Sequence, residues 1–238
     1  MQKQLKIQIW SDVACPFCYI GKRKLEEALE KFEHNSNVEL EWKSFQLNPD
    51  TNFPSGSDPV DYLANKYGRD RAWAISMHQN VTQQAKAVGL EYHLDKSIMA
   101  NTLNAHRVSH LAKKHNLGNE FEEILFKAYF TRGLNIDDKE TLMQLAAEAG
   151  LPTEETEEVL NSDAFKANVK QDIAEAQAIG VTGVPFFVFD NKYAVSGAQS
   201  PEIFLQTLQK TYQEGGFYSK MTEPISGEAD SCGVDGCD

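Results

Sequence analysis

The sequence predicts an α/β protein in which a helical block interrupts a mixed sheet. Three patterns carry that reading: alternating apolar residues near the N-terminus, helical periodicity through the middle, and a return to β-branched and aromatic residues from Val181. The order reads strand, helix, strand, a long helical stretch, helix, hairpin, helix. Both flanks are needed to complete one sheet, so the helical stretch reads as an insertion.

Leu5, Ile7 and Ile9 alternate with Lys6 and Gln8 and form the first strand. Leu25, Ala28, Leu29 and Phe32 then give one apolar helix face. Val38, Leu40, Trp42 and Phe45 form a second strand, and the Pro-, Gly- and Asn-rich run 48–59 is a loop. Asp58 and Pro59 suit an N-cap and first helical position, with Gly68 as the stop. Helical patterns follow over 69–87, 101–115 and from Phe121. Asp137 with Glu140 resembles a capping box, and Gly150-Leu151-Pro152 ends that helix. Ser162 is expected to cap a longer helix through Phe165, Val169 and Ala176 to Gly180. Val181 to Asp190 reads as one buried strand with Tyr193 to Ser196 as its hairpin partner. Ser200-Pro201 opens a last helix, and beyond Gly216 the chain becomes a polar tail.

Composition bounds the function. The chain has 238 residues, enough for a sizeable core. Hydrophobic residues make up 41% and charged residues 24%, which is a globular rather than a disordered balance. The 23 Lys and Arg against 35 Asp and Glu leave a formal charge of −12. That excludes the basic footprint of sequence-independent nucleic-acid binding and argues against docking on anionic lipid. No apolar run reaches the ~18 residues of a membrane span. Lys3, Gln4, Lys6 and Gln8 break up any secretory leader, so a cytoplasmic location is expected, where thiols are kept reduced. The four cysteines then need a reason other than structural stapling.

Cys15-Pro16-Phe17-Cys18 follows the first strand and opens the first helix. Pro16 suits the first helical position, because its missing N–H would be an orphan there. The Cys15 sulfur therefore sits at the helix N-terminus, where unpaired N–H groups and the dipole stabilise a thiolate. Cys18 lies one turn later, within reach of a disulfide. A reactive thiol beside a resolving thiol is the apparatus of thiol–disulfide exchange. The competing reading of two cysteines three apart is half of a metal site; the strand-to-helix context favours redox chemistry.

The run Ser11-Asp12-Val13-Ala14-Cys15-Pro16-Phe17-Cys18-Tyr19-Ile20-Gly21-Lys22, with Thr182-Gly183-Val184-Pro185-Phe186-Phe187 later, resembles the DsbA family of thioredoxin-fold oxidoreductases and its cytosolic FrnE-like branch. The likeness spans nearly the whole chain. It implies a thioredoxin-like core in two parts (1–56 and 162–216), a helical insertion (57–161) and a tail (217–238). It implies that Cys15 is an exposed nucleophile and Cys18 the resolving thiol. It further implies that Val184-Pro185 is a cis peptide facing them, with Val184 offering backbone hydrogen bonds to substrate and Phe17 beside it. The residues alone leave Pro185 open between that and an ordinary edge proline.

Phe17 stands where the periplasmic oxidants of the family carry His. Without that donor, and with Asp12 nearby, the thiolate is less stabilised. Lys22 and Arg23 compensate only in part, so the couple is expected to suit a reductase or isomerase. The tail ends Cys232-Gly233-Val234-Asp235-Gly236-Cys237-Asp238. Asp235-Gly236 permits the turn that a Cys232–Cys237 disulfide needs, and the FrnE-like resemblance includes such a pair. It is read as an auxiliary redox pair that relays electrons, against the alternative of an idle tail.

Other readings follow from the same residues. The surroundings of the motif are shared with kappa-type glutathione transferases, which carry Ser in place of Cys15. Two cysteine pairs also suit tetrahedral Zn²⁺ or Cd²⁺, but structural zinc pairs favour knuckles over helix starts, so no metal is assigned. Trp73, Met77, Met99, Phe17 and Tyr19 can line an apolar groove for a peptide-holding role. His106 and His110 share a helix face without a matching carboxylate pattern, so no chemistry is assigned to them. No phosphate loop or nucleophile elbow is present, so no cofactor is expected. Expected partners are disulfide-containing proteins or small disulfides and an external reductant such as glutathione or a thioredoxin system.

Overall fold

The computed structural model describes residues 4–50, 53–54, 56–215, 232–233 and 236–237. Strand β1 (Leu5–Ser11) runs parallel to β2 (Val38–Ser44), with Ile7 opposite Leu40 and Ile9 opposite Trp42. Helix α1 (Pro16–Glu30) joins them. Helices α2 (Pro59–Tyr67), α3 (Arg71–Ala87), α4 (Leu103–Lys114), α5 (Gly118–Phe130), α6 (Lys139–Glu148), α7 (Thr153–Asn161) and α8 (Lys166–Ala178) follow without a strand between them. The chain then returns through β3 (Gly183–Val184), β4 (Phe186–Phe189), β5 (Tyr193–Ser196) and α9 (Pro201–Gln213). The main sheet has the order β2-β1-β4-β5, so the C-terminal hairpin completes the sheet that β1 begins.

Register decides what each face carries. Ile9 opposes Phe187 and Trp10 opposes Phe186, and antiparallel partners share a face. Phe187 meets α9 edge-on through Phe204, ring centroids 4.7 Å apart. On the other face the Trp10 indole donates to the Asp172 carbonyl of α8 at 2.9 Å. The Asp172 carboxylate accepts from the Ser44 N–H at 2.9 Å and pairs with Lys43 at 3.0 Å and His110 at 3.1 Å. This one residue ties α8 to β2 and to α4. Buried Arg107 of α4 donates to the carbonyls of Ala164 at 2.8 Å, Ser162 at 2.5 Å and Val159, closing α4 onto the α7–α8 connection. No described helix is long and apolar enough to cross a membrane.

Several local expectations change. The helix expected from Ser162 to Gly180 is shorter, because α8 begins only at Lys166. Ser162 ends α7, and Phe165 at φ +61° sets the new direction of α8. Helix α7 was hidden by its acidic composition; only Thr156, Val159 and Leu160 turn inward. The cap of α6 is Asp138, which accepts from the Thr141 N–H at 2.8 Å, one residue after the expected Asp137. The strand expected over 181–190 is interrupted at Pro185, and its first piece, β3, leaves the main sheet. Part of the tail is also ordered into structure. Strands β6 (Cys232–Gly233) and β7 (Gly236–Cys237) pair with each other, and β6 lies antiparallel along β3.

Helix α1 approaches the sheet closely at Gly21. A Cβ there would stand 3.1 Å from Phe187 Cζ and 3.1 Å from Pro185 Cγ. Both neighbours are fixed by packing, so a branched side chain has no room. Gly21→Val should lower unfolding free energy by about 1–3 kcal/mol, read as a lower urea midpoint with an unchanged slope.

Candidate redox site

The turn from β1 into α1 is fixed by its own polar groups. The Cys15 N–H donates to the Asp12 carbonyl at 2.9 Å. The Asp12 carboxylate accepts from Ala14 N–H at 3.3 Å and from Leu47 N–H, beyond β2, at 2.7 Å. Cys15 is the N-cap of α1 in extended conformation, its side chain makes no capping bond, and Pro16 follows at the first helical position. The thiol is thus free to turn outward from the helix. It donates to the Val184 carbonyl at 3.5 Å, and the Val184–Pro185 peptide is cis. The structure therefore brings Cys15, Cys18, Val184 and Pro185 together.

Two expectations about this site are corrected. Cys15 is not exposed: its side chain is 0% accessible, enclosed against the strand at Val184. Phe17 is likewise 1% accessible, although it reaches the wall of a neighbouring groove. Lys22 and Arg23 do not face the thiols. Buried Lys22 binds Glu26 at 2.5 Å and Glu123 at 2.7 Å, and Arg23 binds Glu26 at 2.5 Å and also Glu123. Their charge is spent joining α1 to α5. Tyr19 adds a hydroxyl bond to Glu123 at 2.5 Å and stacks on Phe126 at 5.0 Å.

Cys18 is also buried, and burial pushes its thiol well above the ordinary range, with the neighbouring Cys15 adding to the rise. The Ser11 hydroxyl and the Asp12 peptide N–H face its sulfur and oppose that rise. Burial thus holds the Cys18 thiol in its protonated form. Tyr92, absent from the sequence reading because its loop has no periodicity, donates to the Pro16 carbonyl at 2.7 Å and stacks on Phe130 at 4.7 Å.

Beside the motif lies an apolar cavity of about 140 Å³, lined by Pro16, Phe17, Leu47, Trp73, Met77 and Met99 among others. Its far wall comes from the helical block. The backbone of β6 places Cys232 opposite Val184 and opposite Cys237; the side chains of both cysteines lie outside the described residues. Among the described residues no group of three His, Cys, Asp or Glu is placed to hold a metal ion.

Comparison with known proteins places the fold in a family. The model of the DSBA-like thioredoxin domain matches residues 6–209. A crystal structure of a probable DsbA oxidoreductase from Streptomyces coelicolor is 36% identical, covers 99% of each chain and superposes with a TM-score of 0.84. An uncharacterized protein of Bacillus subtilis, YwbO, is 30% identical over 205 residues, 85% of this chain and 94% of its own. The cytosolic disulfide reductase DsbM of Pseudomonas aeruginosa, solved with GSH, shares 14% identity. That alignment covers 87% of this chain and 99% of DsbM, with a TM-score of 0.62, and shows a common fold.

The Glu123 cluster makes a pH-dependent prediction. Burial opposes ionisation of Glu123, but Arg23, Lys22 and Tyr19 outweigh it and hold the carboxyl at about 2. Its folded value lies below the unfolded one near ~4.3, so its contribution is complete above that range and drains as pH falls toward 2. The melting temperature should drop over that window, and Glu123→Gln should flatten the drop while lowering stability at neutral pH.

Proposed function

The chain belongs to the DsbA-like thioredoxin family, and from that premise we propose that it is a thiol–disulfide oxidoreductase and isomerase. The observation that carries this reading is a thiol at a helix N-terminus, turned to the Val184 carbonyl, with a second buried thiol one turn behind it. In the first step the Cys15 thiolate attacks a substrate disulfide. One S–S bond breaks, a mixed disulfide forms, and the other substrate sulfur leaves as thiolate. Cys18 then loses its proton and attacks Cys15, so the substrate departs reduced and the Cys15–Cys18 disulfide remains. Where Cys18 is slow, a substrate thiol resolves the intermediate instead, and the outcome is isomerisation.

Val184 and Pro185 are read as the substrate-facing segment, and Phe17 as part of the wall of the apolar groove. That groove is read as the contact for an apolar side chain of the substrate. The helical block 57–161 supplies its far wall. Glutathione or a thioredoxin system is the expected reductant. The fold shared with a GSH-bound cytosolic reductase supports that choice, as it does a cytoplasmic location. The shared surroundings also keep a glutathione-dependent transferase or isomerase as the second reading.

The tail pair Cys232 and Cys237 is read as an auxiliary redox pair, as in the FrnE-like branch. Its support is positional: β6 pairs with β3 at Val184, the residue whose carbonyl meets the Cys15 thiol. A substrate strand needs the same edge, so the tail leaves before substrate pairs there.

Cys15→Ser should abolish disulfide exchange. Cys18→Ser should accumulate a mixed disulfide, visible as a substrate adduct by non-reducing mass spectrometry. A chain ending at Thr222 should form the first mixed disulfide at least as fast as the full chain but turn over several-fold more slowly. Exchange that survives Cys15→Ser overturns the oxidoreductase reading, and unchanged turnover in the truncation overturns the relay.

A further inference from the structure

His106 of α4 is 2% accessible, and its Nε2 has no hydrogen-bond partner among the described residues. The nearest acidic oxygen is Asp12 Oδ1, at 3.5 Å. An unpartnered ring nitrogen in the interior costs stability unless the ring does something there. Asp12 is the residue whose carbonyl receives the Cys15 N–H and whose own N–H faces the Cys18 sulfur. By charge repulsion, a carboxylate in that turn opposes a negative charge formed next to it. Lys22 and Arg23, the cations nearest in sequence, are engaged elsewhere.

We propose that His106, charged against Asp12, is a positioning residue whose imidazolium offsets the Asp12 carboxylate and keeps the Cys15 thiolate available at neutral pH. The proposal rests on the oxidoreductase reading above and names the group that tunes its nucleophile. Other groups face the ring as well. Glu122 of α5 stands near it and is bonded by Ser109 at 2.8 Å, and the Phe45 carbonyl meets the ring from the end of β2. Lys22 of α1 acts on Glu122, Tyr129 of α5 feels Asp12, and His110 on the same helix is engaged by Asp172 of α8. Burial alone would push the imidazole down. Asp12, with help from Glu122, outweighs burial and raises it. A polar cavity of about 540 Å³ between β2, α4 and α5 is lined by His106, Ser109, His110 and Glu122, which gives the ring a route for exchanging its proton with solvent.

The test is the pH dependence of Cys15 alkylation by iodoacetamide in the full chain, with the site of modification mapped. The thiolate attacks carbon and iodide leaves, so the rate follows the thiolate population. His106→Gln should cut the rate about tenfold near pH 7, the size expected of one nearby compensating charge, and leave the high-pH plateau unchanged. Adding Asp12→Asn should restore most of the loss, because it removes the charge that His106 offsets. A profile superposing on wild type, or one lowered equally at all pH values, overturns the proposal. A wild-type Cys15 unreactive at every pH overturns the oxidoreductase reading and the proposal with it.

A second measurement does not need the His106 variant to fold. Coupling is reciprocal, so Cys15→Ser should move the His106 imidazole titration, followed by NMR, to lower pH. An unmoved titration overturns the proposal.

Discussion

The N-terminus of α1 is held from three directions, and the chemistry depends on that constraint. The Asp12 carboxylate fixes the turn through Ala14 and Leu47. Tyr92 anchors the Pro16 carbonyl from the helical block. Gly21 lets the helix settle against Phe187 and Pro185. Together these leave one direction for the Cys15 thiol, toward Val184. A helix N-terminus stabilises a thiolate only if the sulfur stays within its first turn, so each anchor also contributes to reactivity.

The same turn carries a conflict. Asp12 is needed as an acceptor for two backbone N–H groups, yet its charge opposes the thiolate beside it. The nearby cations are committed to the α1–α5 junction through Glu123. The proposed pairing of His106 from α4 with Asp12 offsets that charge without changing the turn. Tyr92 and His106, both from the helical block, reach the Pro16 carbonyl and Asp12 respectively. On the proposed reading the block contributes to the redox chemistry as well as forming a groove wall.

Much of this was legible in the sequence because its signals are local. The Cys-Pro-x-Cys motif, the Asp58-Pro59 start and the Gly68 stop act through adjacent residues, and all three fall where the pattern places them. The central strands were clear from alternation and β-branching. What stayed hidden depends on contacts far apart in the chain. Helix α7 has too few apolar residues to show a stripe. Tyr92 lies in a loop without periodicity, and Glu123 reads as a solvent-facing acid until Lys22 and Arg23 meet it. The enclosure of Cys15 could not be read from a motif that looks the same exposed or buried. The β6–β3 pairing had only a weak local cue, the Asp235-Gly236 turn.

The central claim is that Cys15 and Cys18 form a reversible redox couple placed against Val184. A glutathione redox titration, with alkylation and peptide mapping of all four cysteines, tests it most directly. The account predicts a reversible Cys15–Cys18 disulfide, with a minor population linking one of them to Cys232 or Cys237. A Cys15–Cys18 pair that stays reduced across the titration, its thiols protected by tightly bound metal, would contradict it.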